Sequence, residues 1–201
     1  LDKFSKQNNI DRNKFIILLP GRLTYWKGQK IFIEAIKLLS EKDHIPLFEA
    51  IILGSDQGRN VYKKQLLGLV EQYRLNKIIK FIDQCEEMPI AYGVANLVCS
   101  CSSEPEAFGR VAVESQSMQI PIIASDIGGS KETIIKDKTG YLFANKNPVA
   151  LANSIVAVMQ KDYNSIKSIG IEGRKNVLKK FDVDKMCQTT FTEYKKLIEL
   201  S

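Results

Sequence analysis

Two acidic side chains, Glu106 and Glu114, stand eight positions apart in Ser102-Ser-Glu-Pro-Glu-Ala-Phe-Gly-Arg-Val-Ala-Val-Glu114, with Phe108 and Gly109 between them. The hydrophobic pattern starts a helix at about Gly109, which leaves Glu106 in the loop and carries Glu114 on the helix. The amides of Ala107, Phe108, Gly109 and Arg110 then form the positive end of that helix, where a phosphate or sugar oxygen can accept hydrogen bonds. Carboxylates beside such an end suit the hydroxyls of a ribose or a sugar ring, because one carboxylate accepts two hydrogen bonds at once. The competing reading makes Glu104 and Glu106 solvated loop charges and turns Glu114 to water, although Glu114 lies among Val111, Ala112, Val113 and Met118.

A second loop, Gly21-Arg-Leu-Thr-Tyr-Trp-Lys-Gly28, follows the first apolar run. Gly21 permits a tight turn, and Arg22 and Lys27 stand beside the start of the next helix near Gly28. Two cations, free amides and a helix dipole of the right sign suit an anion. The loop is not a Walker phosphate loop, since Trp26 precedes the lysine where that motif has glycine, and the G-x-G-x-x-G fingerprint is absent. The alternative is a pair of surface charges in a protein with 29 basic residues. A third loop, Ser125-Asp-Ile-Gly-Gly-Ser-Lys-Glu132, has paired glycines that either let backbone approach a ligand or simply make a turn.

The elements that must position these loops are short apolar runs alternating with helical-period segments. Strands are predicted at 15–19, 48–53, 78–82, 97–101, 121–125 and 141–143. Helices are predicted at 28–42, 61–73, 88–92, 110–118, 131–135, 148–160, 165–180 and 184–200. Ile31, Ala35, Leu38 and Leu39 form the expected inward stripe of the first, and Leu66, Leu69 and Val70 that of the second. Nearly all-apolar strands alternating with helices imply an α/β fold with a doubly wound, Rossmann-like parallel sheet. Ligands bind such sheets at the carboxyl ends of the strands, so the informative loops follow Leu19, Leu53, Ile82, Cys101 and Ser125. Residues 1–14 read as a polar linker from a preceding domain, 15–160 as the Rossmann-like domain, and 161–201 as C-terminal helices expected to pack on it and toward that other domain.

The 201-residue chain is 44% hydrophobic and 26% charged, ordinary for a globular domain able to bury its own core. No run approaches the roughly 20 apolar residues of a membrane span, and the polar start has no signal-peptide core. The net charge of +6 divides as +5 over residues 1–42, −2 over 43–160 and +3 over 161–201. This is not the single basic face of a nucleic-acid binder. A solvated basic surface, a small anionic ligand or an anionic membrane surface are the readings it leaves. Cys85, Cys99, Cys101 and Cys187 form no C-x-x-C pair, and with His44 the sole histidine no zinc set is expected. They read as buried reduced thiols of a cytoplasmic protein.

Taken together, five segments resemble the carboxy-terminal domain of glycosyltransferase family 4, glycosyl transferases group 1, which has the GT-B fold. They are Leu18-Leu-Pro-Gly-Arg-Leu-Thr-Tyr-Trp-Lys-Gly-Gln29, Ile51-Ile-Leu-Gly-Ser55, Ile79-Lys-Phe-Ile-Asp83, Glu104-Pro-Glu-Ala-Phe-Gly-Arg-Val-Ala-Val-Glu114, and Gln119-Ile-Pro-Ile-Ile-Ala-Ser-Asp-Ile-Gly-Gly129 with Glu132. They occur in the family's order; the chain departs at Gln119-Ile120-Pro121, where the family often has Gly-Thr-Pro. The resemblance implies one half of a GT-B enzyme, in which Arg22 and Lys27 hold the donor diphosphate beside Gly21. It implies that Glu114 binds the nucleotide ribose and Glu106 lies against the donor sugar. Phe108, Gly109 and Arg110 then face sugar and phosphates, and Ile82 and Asp83 mark the loop that contacts the base.

The implied reaction moves a hexose, with retention, from a nucleoside-diphosphate sugar to a hydroxyl on a glycan or lipid-linked acceptor, in cell-envelope polysaccharide or lipopolysaccharide synthesis. No metal or other cofactor is expected. The family's amino-terminal domain, which supplies acceptor contacts, is not in this sequence, so the fragment alone is expected to be inactive. The implied place is the cytoplasm, with the basic ends suited to peripheral attachment at the inner face of the membrane. The alternatives are a nucleotide-sugar epimerase on the same scaffold and a non-catalytic nucleotide- or anion-binding module.

Overall fold

The computed structural model describes residues 1–58 and 60–199, so the expected end of the last helix at Leu200, with Ser201 beyond it, lies outside the described residues. The chain runs α1 (Asp2–Gln7), β1 (Phe15–Pro20), α2 (Gln29–Ser40), β2 (Phe48–Leu53), α3 (Asn60–Gln72), β3 (Ile79–Ile82), α4 (Met88–Gly93) and β4 (Leu97–Ser100). It continues through α5 (Arg110–Ser117), β5 (Ile122–Ser125), α6 (Ser130–Thr133), β6 (Tyr141–Phe143), α7 (Pro148–Met159), α8 (Tyr163–Lys180) and α9 (Val183–Glu199). Every strand pairing is parallel, in the order β3-β2-β1-β4-β5-β6. The α/β doubly wound class read from the apolar runs is the fold observed.

Alternation along β1 builds two cores. Ile17 and Leu19 join the layer of α2, α3 and α7, while Ile16 and Leu18 join that of α4 and α5. A strand covered on both faces needs apolar residues at successive positions, which is why the run from Phe15 shows no alternation in its sequence. The chain steps outward from β1 through β2 to β3 and then crosses back to lay β4 on the other side of β1. Loops leaving β1 and β4 therefore diverge, opening a crevice at their carboxyl ends.

Several expectations are corrected by burial. In α2 the buried residues are Gln29, Phe32, Ile33, Ala35, Ile36 and Leu39, with Ile31 and Leu38 at the stripe's edges. Wedged between the sheet, α3 and α7, this helix needs a wider apolar face than a surface helix does. Along α3, Leu66 and Val70 are buried together with Tyr62, and Leu69 packs half-buried against the same layer. Cys99 and Cys101 are buried, but Cys85 is only half-buried and Cys187 is exposed.

Residues 1–14, expected as a polar linker, instead carry α1 and put Ile10 into the core with Phe4 against it. They are also fastened electrostatically: the buried Glu49 of β2 accepts from Lys14 Nζ at 3.0 Å, Lys80 Nζ at 2.7 Å and the Asp11 amide at 3.3 Å. At the other end of the chain, α8 packs on α5 and ties to it through Asn176 Nδ2, which donates to Gln116 Oε1 at 3.2 Å and to the Thr133 carbonyl at 3.1 Å. The contact of the extension with the domain runs through α8, since the last helix, α9, has no buried residue. Its Val183, Met186, Phe191, Tyr194 and Leu197 all face outward.

Candidate functional site

An open cleft of about 720 Å³ lies at the carboxyl ends of the strands, above the switch point between β1 and β4. Gly21, Arg22, Lys27, Asp83, Glu106, Phe108, Gly109, Arg110 and Glu114 all line it. Ile82 does not: it is buried in the core layer beneath α4, because it is the last residue of β3 and points into the sheet's covered face. The wall beyond it consists of Asp83, Gln84, Cys85 and Met88.

The loops are held against one another by backbone. Gly28 has φ of 74°, and a Cβ there would sit 1.8 Å from the Cys101 carbonyl oxygen, so the loop after β1 rests directly on the end of β4. The Ser103 amide donates to the Trp26 carbonyl at 2.7 Å, and Gln29 Nε2 donates to the Arg22 carbonyl at 2.8 Å. The paired glycines Gly128 and Gly129 approach protein rather than an open ligand space. The Gly129 amide donates to the Glu106 carbonyl at 2.8 Å, and a Cβ on Gly129 would stand 2.6 Å from Phe108 backbone. Their role is to let the loop after β5 underpin the loop that carries Glu106.

The electrostatics differ from a pair of free cations. Lys27 Nζ lies 2.8 Å from Glu106 Oε2, and their side chains are 15% and 16% exposed. The Lys27 ammonium also sits 4.4 Å from the centre of the Trp26 ring. Ser102 Oγ donates to the other oxygen of Glu106, so both oxygens of that carboxylate are engaged. Arg22 is exposed at the rim and has no ion-pair partner among the described residues. Lys27 and Glu106 cancel, and Arg22 supplies the uncompensated charge.

Glu114 is held from two sides. The Tyr92 hydroxyl donates to its Oε2 at 2.7 Å, and Arg110 Nε and Nη2 donate to its Oε1 at 3.1 and 2.8 Å. Burial, and then the Glu114 charge, push the Tyr92 phenol well above its usual range, so it stays protonated and donates. The amides of Phe108, Gly109 and Arg110, at the start of α5, donate to no protein acceptor among the described residues. All three residues line the cleft at the amino end of α5, where the helix dipole is positive. Asp83 pairs with Lys63 of α3, and Phe108 meets Phe181 edge-on at 5.5 Å between ring centres. Among the described residues no group of three His, Cys, Asp or Glu side chains is placed to hold a metal ion.

Sequence reasoning missed Tyr92, Ser102 and Gln84 as cleft or support residues. Tyr92 sits in a helix that reads as core, and nothing in one sequence ties it to a glutamate on another element.

A doubly wound parallel sheet with a cation, helix-start amides and carboxylates at its switch point is an α/β domain of the class that places its ligand site at the carboxyl ends of the strands. The sequence model of the family described as glycosyl transferases group 1 matches residues 2–176, and the chain belongs to that family. It is 29% identical over 168 residues to a D-inositol 3-phosphate glycosyltransferase of Corynebacterium glutamicum (strain R), covering 83% of this chain and 40% of that protein. Among solved structures it superposes on a glycosyltransferase from Rickettsia africae ESF-5 with a TM-score of 0.93 and 29% identity, over 100% of this chain and 52% of the other. Anabaena Alr3699/HepE, solved in complex with UDP-glucose, matches with a TM-score of 0.86 and 27% identity, over 97% and 52% of the two chains. The chain thus spans about half or less of these relatives.

Proposed function

We propose that this chain is the donor-binding half of a retaining glycosyltransferase that moves a hexose from a nucleoside-diphosphate sugar to a hydroxyl acceptor. The observation that carries the reading is the convergence of Arg22, Lys27, the free amides of Phe108 to Arg110, Glu106 and Glu114 on one cleft at the switch point. Breaking the glycosidic bond leaves charge on the diphosphate, and fixed donors aimed at that charge lower the barrier. Arg22, Lys27 and the amides at the start of α5 supply those donors from the protein itself. Glu114, presented at the cleft wall, accepts from the ribose hydroxyls.

Glu106 positions the sugar and Lys27 and is not a free nucleophile, because Lys27 and Ser102 engage its two oxygens. Asp83 and Gln84 line the wall where the base would lie. The acceptor, a glycan or lipid-linked hydroxyl, is held by the part of the enzyme outside this chain, whose basic ends favour peripheral contact with an anionic membrane face. Support for a uridine donor comes from the Anabaena neighbour, which was solved with UDP-glucose. Isothermal titration of the 201-residue chain with UDP-glucose, UDP and glucose is the direct test. Saturable binding of UDP-glucose and UDP, with glucose alone silent, is expected. Heats no larger than dilution for both nucleotides would overturn the reading.

A further inference from the structure

The buried phenol of Tyr92 has a task that packing alone does not explain. Its ring is 1% exposed and belongs to the core layer of α4, yet its hydroxyl reaches the cleft wall and donates to Glu114 Oε2 at 2.7 Å. A phenylalanine would fill the same core volume. Because burial keeps the phenol protonated, the direction of this hydrogen bond is fixed, from Tyr92 to the carboxylate.

Glu114 therefore has one oxygen committed to a rigid internal donor and the other on the exposed side. There, among the described residues, it is met only by Arg110, whose side chain is 83% exposed and free to swing into water. A carboxylate on an eight-residue helix, α5, would otherwise sample several rotamers around its three side-chain torsions. A rigid donor from a neighbouring helix selects one of them and leaves Oε1, held by Arg110, as the oxygen free to change partners at the cleft that Glu114 lines.

From this geometry we infer that Tyr92 is the positioning residue of the ribose clamp: its hydroxyl fixes Glu114, so that the nucleotide's ribose hydroxyls meet a pre-oriented carboxylate. The inference rests on the donor-site reading given above and deepens it by naming what sets the selectivity of that site for a ribose bearing its hydroxyls. Arg110 holds Oε1 in the free protein and yields it to the incoming hydroxyls.

The test compares UDP with 2′,3′-dideoxy-UDP by titration calorimetry on the full chain, on Tyr92→Phe, on Glu114→Gln and on the double variant. The unsubstituted chain is expected to prefer UDP by about 30-fold, the scale of hydrogen bonds to a charged acceptor. Tyr92→Phe is expected to shrink that preference about 5-fold, by weakening UDP while leaving the dideoxy analogue unchanged. In the double variant the hydroxyl deletion is expected to add nothing to Glu114→Gln, since it acts through that carboxylate. A loss of thermal stability common to Tyr92→Phe leaves the ratio of the two ligands readable.

Equal weakening of both ligands would make Tyr92 merely structural and overturn the assignment. An unchanged ratio, or a Tyr92→Phe effect that persists on top of Glu114→Gln, would overturn it as well. In those cases the donor site itself stands, because the unsubstituted chain still binds UDP. If the unsubstituted chain binds neither nucleotide, the donor-site reading falls first and takes this assignment with it.

Discussion

The two ends of the sheet each hold a lysine against a glutamate of low exposure, and they do opposite things. At the amino end Glu49 is enclosed by Lys14, Lys80 and the Asp11 amide, its side chain 4% exposed. At the carboxyl end Glu106 meets Lys27 at 2.8 Å beside an open cleft of about 720 Å³, where the α5-start amides and the Arg22 side chain have no protein partner among the described residues. The chemistry of the pair is the same. What differs is whether the remaining hydrogen-bonding capacity is spent on the protein or left facing space. Glu49 is a staple that ties residues 11–14 to β2 and β3. Lys27 and Glu106 form a pair that a ligand can enter.

That contrast breaks first at Lys27. Replacing it by alanine removes a donor from the diphosphate and also frees the negative charge of Glu106 to repel it. UDP-glucose binding is expected to fall about 100-fold, against about 10-fold for Arg22→Ala at the exposed rim. Because the freed Glu106 charge repels the diphosphate, Lys27→Ala with Glu106→Gln should bind more tightly than Lys27→Ala alone. Calorimetry on the four chains decides it, and a double variant weaker than Lys27→Ala would remove Glu106 repulsion from the account.

At the opposite end, Glu49→Ala should act on stability and leave the site untouched. Breaking a fully buried pair costs about 3–5 kcal/mol, but Lys14 and Lys80 are 30% and 23% exposed and can turn to water. A loss of about 2 kcal/mol is expected in urea unfolding. UDP affinity should stay within about twofold, since distant sites combine independently. A variant that unfolds no more easily, or that loses nucleotide binding, would erase the distinction between staple and site.

The sequence distinguishes these two ends poorly, for physical reasons. Strands covered on both faces write themselves as apolar runs, so β1 through β6 and the parallel sheet are legible. The loops after β1 and β4 are legible too, because glycines and charges interrupt those runs. What stays hidden is pairing across elements. Lys27 and Glu106 lie 79 positions apart, Tyr92 and Glu114 22 apart, and Lys14 and Glu49 35 apart, and periodicity within one segment carries no information about such partners. Ile82 shows how neighbours in sequence part in space. The resemblance assigns it with Asp83 to one loop, whereas its side chain ends β3 inside the core and only Asp83 lines the cleft. Residues 1–14 mislead because α1 buries only Ser5 and a single apolar residue beyond it, Ile10, enters the core, so the segment is almost wholly polar in composition.

The smallest expected effect separates the two ends by pH. Burial pushes the Glu49 carboxyl up, but hydrogen bonds from Lys80, Lys14 and the Asp11 amide outweigh it and hold the group below the usual carboxylate range. A carboxyl depressed in the folded state stabilises the fold fully above its unfolded pKa of about 4.3, and that contribution drains away as the pH falls through the lower folded value. The stability gap between the unsubstituted chain and Glu49→Gln should therefore be flat from pH 7 to about pH 5 and close progressively below about pH 4. Urea midpoints of the two chains measured across that range give the gap directly, since the glutamine variant cannot titrate at this position. A gap that holds constant down to pH 3, or widens with acid, would mean that the lysines do not bias the carboxyl of Glu49, and the staple would then owe its strength to the packing of Ile10 and α1 instead.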